Sequence, residues 1–505
     1  MAEERTYLEL SEEGGSSHKF YEVVVDGAKL TIRYGRIGDA GQVQTKDFPT
    51  PEKATAEAQK KINEKKKKGY EPAVQGVRQK RTVTRRSAML DLPPAPTAQP
   101  ARSQSSRSSA SSRSSAPARP LAPPPPRQTA PVLWKFNTEA CAFGIFVDSN
   151  YCWVGNEAGK IFALNHEGEV HRKFKLPDGV KCIVSDGDWL YGGCDDGKVY
   201  DLSGKSPTLA YEISDDVDIF WLDICDGVLA VSDSAGNVTV INHEDESQWS
   251  KKSGGSAGWM VRCDEIGVYH GHGQGVTMYD WEDGKVIWTR LTPGAVLFGW
   301  QEEADVYACT SHGHIHKFAK NGEEGPRYRC NGAVYSCATS GDGRYVFGAD
   351  KASDIYCFDG EGKLLWQLPT GCGVALSMQY FQERLYIVTH HGFLACIDTS
   401  EAAIQAAQTG TVPKAVSLTA PQVEAFVPAT VETTTDASQG VTVECYREGS
   451  GLRVRVISEG YNRDWHCQFP KDIREAGARY VVDEVREAKQ GGFYRVFGTI
   501  RKLTQ

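Results

Sequence analysis

Apolar and polar positions alternate in short runs through the middle of the chain, and the runs return with a fixed period. A turn glycine followed by a brief alternating strand stands at Gly159-Lys160-Ile161-Phe162-Ala163-Leu164, Gly197-Lys198-Val199-Tyr200 and Gly236-Asn237-Val238. The same motif recurs at Gly275-Val276-Thr277-Met278-Tyr279, Gly313-His314-Ile315 and Gly392-Phe393-Leu394, with Ser353-Asp354-Ile355-Tyr356 in the remaining slot. Successive spacings are 38, 39, 39, 38, 40 and 39 residues, the self-similarity of a repeat architecture. Within one unit, Val180–Val184 is apolar, Asp186-Gly187-Asp188 is a turn, Trp189–Cys194 is a strand, and a second turn leads into Lys198–Leu202. A four-stranded sheet of this size cannot bury both faces alone, whereas radial stacking of such sheets does. The pattern therefore predicts a mainly β protein built around a seven-bladed β-propeller over residues 131–400.

A second landmark predicts how the ring closes. Trp249, Trp288 and Trp366 each lie 13 residues after a turn position, and Gly284-Lys285-Val286-Ile287-Trp288 and Gly362-Lys363-Leu364-Leu365-Trp366 are close copies. After Ile397-Asp398-Thr399 strand character ends, so the last unit lacks its tryptophan strand. Val132-Leu133-Trp134-Lys135-Phe136 supplies it from the front, with Trp134 standing 25 residues before Gly159. These repeats resemble those of the pyrroloquinoline-quinone-like propellers, relatives of the WD-repeat proteins. The resemblance speaks for fold rather than function, because propellers host unrelated activities. No cofactor is expected.

Residues 1–72 predict a compact α+β unit. Alternation at Tyr7–Leu10, Phe20–Val25, Leu30–Tyr34 and Val43–Phe48 gives four strands. A helix follows, with Thr50 as N-cap, Pro51 at its first position, Glu52 early, lysines late and Gly69 as the stop. Ala54, Ala58 and Ile62 share one face and should pack on the sheet. Tyr34-Gly35-Arg36-Ile37-Gly38, then Lys46 and Phe48, then a helix ending in Lys68-Gly69-Tyr70, resembles the WGR domain. That family is named for Trp-Gly-Arg; tyrosine stands here in place of its tryptophan, with a smaller π-face. The resemblance implies contact with DNA near an end through Arg33, Tyr34, Gly35, Arg36, Lys61, Lys65, Lys66, Lys67 and Lys68. Independently of the family, a concentrated lysine helix end offers sequence-independent, salt-sensitive phosphate contacts. The plain structural alternatives are that Lys65–Lys68 complement the helix dipole and that Tyr34 is a core aromatic.

Residues 73–130 cannot form a core, being rich in Ser/Arg blocks and in proline at Pro93–Pro96 and Pro123–Pro126. They predict a disordered basic linker. Arg78, Lys80 and Arg81, with Lys65–Lys68 upstream, resemble a bipartite nuclear import signal. Residues 401–439 read as a second linker. Residues 440–505 predict a small α+β domain of no recognised family. Its strands are expected at Val441–Tyr446, Leu452–Ile457, Cys467–Phe469 and Phe493–Ile500, and its short helices at Lys471–Ala476 and Asp483–Lys489.

Charge divides the chain. Residues 1–130 carry 23 Lys/Arg against 14 Asp/Glu, and residues 131–505 carry 34 against 51. A basic end on an acidic body points to two different partners, one of them polyanionic. Met1-Ala2-Glu3-Glu4-Arg5 has no apolar segment and predicts no signal peptide, and no apolar run approaches the length of a membrane span. Fourteen cysteines without a Cys-x-x-Cys pair, mostly inside apolar strand patterns, favour buried thiols in a reducing compartment.

No catalytic constellation is expected, since P-loop and His-Glu-x-x-His motifs are absent. Histidines cluster at the turn positions: His270 and His272, His312, His314 and His316, His390 and His391. Of these, His270, His272, His312, His314, His390 and His391 are candidates for a partner-binding face; no metal site is assigned. The leading reading is a non-enzymatic adaptor of the nucleus, with the cytoplasm as a second location, that binds nucleic acid at one end and protein partners on the propeller, with no membrane partner. The alternatives are a scaffold without nucleic-acid binding and a propeller enzyme with a bound cofactor.

Overall fold

The computed structural model describes residues 4–11, 18–36, 42–67, 70–73, 128–213, 219–255, 258–410, 416–420, 431–449, 451–489 and 491–504. At the N-terminal end, β1 (Glu4–Ser11), β2 (His18–Asp26), β3 (Lys29–Arg36) and β4 (Gln42–Asp47) form an antiparallel meander. α1 (Pro51–Lys66) follows, and the short β5 (Glu71–Pro72) pairs back onto β1. Thr50 caps α1, its hydroxyl accepting from the Lys53 amide at 3.4 Å. Ala54, Ala58 and Ile62 bury against Leu8, Tyr21, Val23, Val25 and Leu30, as the spacing predicts.

From residue 132 to 398 the chain forms six four-stranded antiparallel sheets and a last sheet in which Val132–Asn137 pairs with Phe393–Asp398. The first strand of each sheet, from Ala142–Val147 to Ala375–Phe381, lies against the first strand of the next, and the last lies against the first. These are the propeller-like sheets that the period predicts, and the front strand enters the last sheet as the tryptophan spacing requires. Six of the seven turn positions share one backbone state: Gly159, Gly197, Gly236, Gly313 and Gly392 have φ between 76° and 82°, and Ser353 adopts 71°, while Gly275 stands at 151°. At Gly392 a Cβ would lie 2.5 Å from the Ala140 carbonyl oxygen, so the turn needs glycine for space as well as for φ.

The tryptophan landmark has a physical cause. Trp134, Trp249 and Trp288 stand on outer strands and donate their indole N–H to the carbonyls of His166, Trp281 and Lys320, at 3.0, 2.8 and 2.9 Å. Each acceptor lies 32 residues further on, in a turn of the following sheet. The Tyr328 hydroxyl makes the equivalent bond to the Gly360 carbonyl at 3.0 Å. Four outer strands are thus tied to their neighbours by one recurring hydrogen bond, whereas the buried indole N–H of Trp366, at the same repeat position, makes no such bond among the described residues.

Both expected linkers are shorter than their composition suggests. Gln128 donates to the Ala407 carbonyl at 2.6 Å, and Ala130 is buried. Residues 401–409 form a helix, Glu401–Thr409, that buries Ile404 and Ala407. Val416–Thr419 adds a parallel strand to Val132–Asn137. Most of 73–130, and residues 411–415 and 421–430, lie outside the described residues.

The C-terminal unit corrects the α+β expectation, since the described part of it is β with one 3-10 turn. Five strands, Val441–Glu448, Gly451–Val456, His466–Gln468, Arg479–Glu487 and Phe493–Leu503, pair in the order first, second, third, fifth, fourth and back to the first. The third and fifth run parallel. The result is a closed barrel around Val443, Cys445, Val454, Val456, Cys467 and Tyr480. Expected helix Asp483–Lys489 lies mostly within the fourth strand. The register shifts after Val482, where two steps along the fourth strand face three along the fifth, and inward Val482 and Val485 are spaced three apart, as on a helix. Only Lys471–Ile473 of expected helix Lys471–Ala476 is helical, as a 3-10 turn.

Candidate nucleic-acid interface

Side chains alternate across a strand, so neighbours Arg33 and Tyr34 serve opposite faces of the N-terminal sheet. Arg33 lies opposite Glu22 in the ladder, and its Nε donates to Glu22 Oε2 at 2.6 Å. Arg5 holds the other oxygen of the same buried carboxylate. The Arg33 guanidinium also covers the Phe20 ring at 5.0 Å. This arginine therefore has a structural task on the face away from α1.

Tyr34 lies on the helix side, opposite Tyr21, with ring centroids 6.2 Å apart. It is half-buried, and its hydroxyl accepts from Gln44 at 3.0 Å. Lys65, in the last turn of α1, places its ammonium over Tyr21 at 4.5 Å and over Tyr70 at 5.1 Å. Tyr34, Tyr21, Tyr70 and Lys65 thus make one aromatic–cation patch beside the end of α1. Lys66 and Lys67 are exposed next to it and Lys61 is half-buried. Gly35 and Arg36 close β3 through their backbone, with Arg36 opposite Lys19. Lys68, Arg78, Lys80 and Arg81 lie outside the described residues. Sequence reasoning missed Tyr21 and Tyr70 as members of the patch. The signal was present in the alternation of Leu8, Tyr21 and Tyr34 toward one face, but it reads equally well as core.

The turn histidines divide. His312 is exposed, and His314 and His391 are half-buried. His270, His272 and His390 are buried, which removes them from a docking face. They serve their own sheets instead. His270 Nδ1 meets Ser253 Oγ at 2.5 Å, His272 Nε2 meets Thr277 Oγ1 at 3.0 Å, and His390 Nδ1 accepts from the Val374 amide at 2.9 Å. Burial pushes His270 down to about 3 and His390 down to about 4. The reason for the mismatch is that His270 and His272, on the strand Val268–His272, and His390, just after the strand Arg384–Thr389, all fold inward, a direction that spacing alone does not report. Among the described residues no group of three or more His, Cys, Asp or Glu is placed to hold a metal ion.

Other candidate chemistry is equally plain. Gly254-Gly255-Ser256-Ala257-Gly258 matches Gly-x-Ser-x-Gly in its letters, but it joins the last strand of one sheet to the first strand of the next. A nucleophile elbow needs a strand-to-helix turn. Ser256 itself lies outside the described residues. The fourteen cysteines are free thiols, twelve of them buried. Burial raises Cys182 and Cys467 to about 12, so neither supplies a thiolate near neutral pH.

By its sheets and their cyclic contacts, the chain carries a β-propeller behind a small sheet-and-helix domain. That domain is a WGR domain: residues 4–77 match the model of this family. A stretch of 55 residues is 42% identical to the uncharacterized protein YfeS of Escherichia coli (strain K12), covering 11% of this chain and 22% of that protein. The chain therefore spans about a fifth of that curated relative's length. Among solved structures, it is similar to the computationally designed Ika8 protein, with a TM-score of 0.45 and 14% identity over 54% of this chain and 99% of that one. It is also similar to the WD40 β-propeller domain of Doa1, with a TM-score of 0.47 and 13% identity over 55% of this chain and 98% of that one. No helix among the described residues is long and apolar enough to cross a membrane.

Proposed function

We propose that this protein is a non-enzymatic adaptor whose WGR domain binds nucleic acid, DNA in the first place, while a seven-bladed propeller docks protein partners. The observation that carries the reading is the aromatic–cation patch of Tyr34, Tyr21, Tyr70 and Lys65, flanked by exposed Lys66 and Lys67. A ring partly open to solvent offers a face for a terminal sugar or base, and the two lysines neutralise phosphates. Phosphate contacts position without reading sequence, so binding should be general for duplex sequence and steeply salt-dependent. Arg33 contributes indirectly by holding the sheet, through Glu22.

Fluorescence anisotropy of the full chain with a labelled blunt duplex, titrated at several salt concentrations, tests this. Binding should weaken as salt rises, and Lys66→Glu with Lys67→Glu should lower the salt slope by about 2. Tyr34→Ala should weaken binding to a blunt duplex more than to a closed circle. A full chain that binds neither substrate at low salt would leave the propeller as a scaffold without nucleic acid.

A further inference from the structure

The C-terminal barrel does not stand apart from the propeller. Its second, third and fifth strands, and the loops before its fourth and fifth, rest on turns of the second and third sheets. The central contact is the turn Asn242–Glu246. There the His243 ring stacks on Phe493 with centroids 3.8 Å apart and planes 12° from parallel. The next three residues are all acidic, and each meets a cation of the barrel. Glu244 meets Arg453 and, at 3.2 Å, His466; Asp245 meets Lys471 at 3.3 Å; Glu246 meets Arg453 at 3.2 Å. Beside this turn, buried Arg495 holds Asp186 at 2.6 Å and Asp226 at 3.4 Å. The barrel contributes cations and an aromatic face; the propeller contributes carboxylates and one planar heterocycle.

We propose that this barrel face is a binding site for single-stranded nucleic acid, and that the turn 242–246 occupies it as a built-in stand-in. Two independent features point to that ligand class. One is chemical: a flat nitrogen heterocycle stacked on an aromatic ring, followed along the same backbone by successive anions, is the pattern a single strand presents. Stacking platforms combined with a cationic track are how single strands are held without base readout. The other is topological. A five-stranded barrel of this kind binds oligonucleotides or oligosaccharides across its second and third strands and the loops after its first and fourth. Arg453 is on the second strand here, His466 on the third, and Lys489 in the loop after the fourth, its amide donating to Asp226 at 3.0 Å. The site is therefore where the architecture places it, and the propeller covers it.

Because turn and site belong to one chain, the stand-in acts at a high effective concentration and must be displaced. The full chain should bind a single strand weakly, and weakening the turn should expose the site. The test measures anisotropy of a labelled oligodeoxythymidine with the full-length protein. Lys66→Glu and Lys67→Glu are present throughout, so that the WGR domain does not report. In this background, Glu244→Gln with Glu246→Gln should tighten binding at least tenfold. His243→Ala, which removes the stacked ring and no carboxylate, should tighten it in the same direction. Adding Phe493→Leu or Arg453→Gln to either release variant should abolish the gain, with thermal melting confirming that each variant is folded. No gain from either release variant overturns the proposal. So does a gain that survives both barrel substitutions, or a glutamate-rich peptide that binds the released protein as tightly as the oligonucleotide, which would mark an acidic-peptide site. The result is separable from the WGR reading, since duplex binding by the unaltered N-terminal lysines is measured on its own.

Discussion

The indole of Trp134 donates to the His166 carbonyl at 3.0 Å, joining the outer strand of the last propeller sheet to a turn of the first. Trp134 enters that sheet from the front of the chain and pairs with Cys396 across the seam. Its indole bond therefore anchors the strand that closes the ring to the first sheet. Trp134→Ala should cost roughly 3 kcal/mol or more, as for other buried tryptophans, and lower the melting temperature by several degrees. Deleting 131–137 should lower it further or prevent folding. An unchanged melt in the deletion would remove the closure role.

The shared turn state gives a paired prediction. Ser353 sits at φ 71° where the other slots hold glycine. Left-handed backbone costs a non-glycine residue about 1–2 kcal/mol, and glycine gives back about 0.4–1 kcal/mol in unfolded-chain entropy. Ser353→Gly should then be neutral or slightly stabilising. Gly392→Ala should destabilise clearly, because strain adds to the contact with Ala140. Melting curves of the two variants should move in opposite directions or not at all for the first.

Buried histidines set an acid limit. His270 and His390 are held down to about 3 and about 4 by burial, with His272 and His391 adding repulsion. Their folded values lie below the unfolded value near 6.5. The unfolded chain therefore takes up protons first, and stability should fall as pH drops from about 6.5 toward 4. Melting temperature against pH should show that fall, and His270→Asn with His390→Asn should flatten it.

Arg495 should control barrel docking. It is almost fully buried between Asp186 and Asp226, over the Trp189 ring at 4.7 Å. Removing one side of a buried ion pair costs about 3–5 kcal/mol. Arg495→Ala should loosen the barrel while leaving the propeller melt in place. Asp226 and Gly227 donate their amides to Asp186 at 3.0 and 2.6 Å, so faster hydrogen exchange at these two positions is the expected readout.

In the WGR domain, stability and binding should separate. Arg33→Ala leaves buried Glu22 with one arginine and should cost about 1–3 kcal/mol of domain stability. Lys67→Ala should leave the melt unchanged and weaken duplex binding. A binding loss in Arg33→Ala larger than its stability loss explains would place Arg33 in the interface after all.

Local chemistry was legible from sequence. Turn residues, strand alternation and the caps of α1 depend on neighbours within a few positions, so the period, the helix after Thr50 and the place of Trp134 could be read directly. The WGR domain was legible for the same reason, since its motif lies on consecutive elements. What the tertiary structure decided depends on partners far along the chain. Asp186 and Arg495 are 309 residues apart, and nothing local marks either as the other's counterion. Barrel closure rests on a parallel pairing of the third and fifth strands, which no turn between them specifies. Around the register shift after Val482, a strand carries inward residues at the spacing of a helix. The buried histidines show the same divide: their positions follow the repeat, but their inward direction is set by how neighbouring sheets pack.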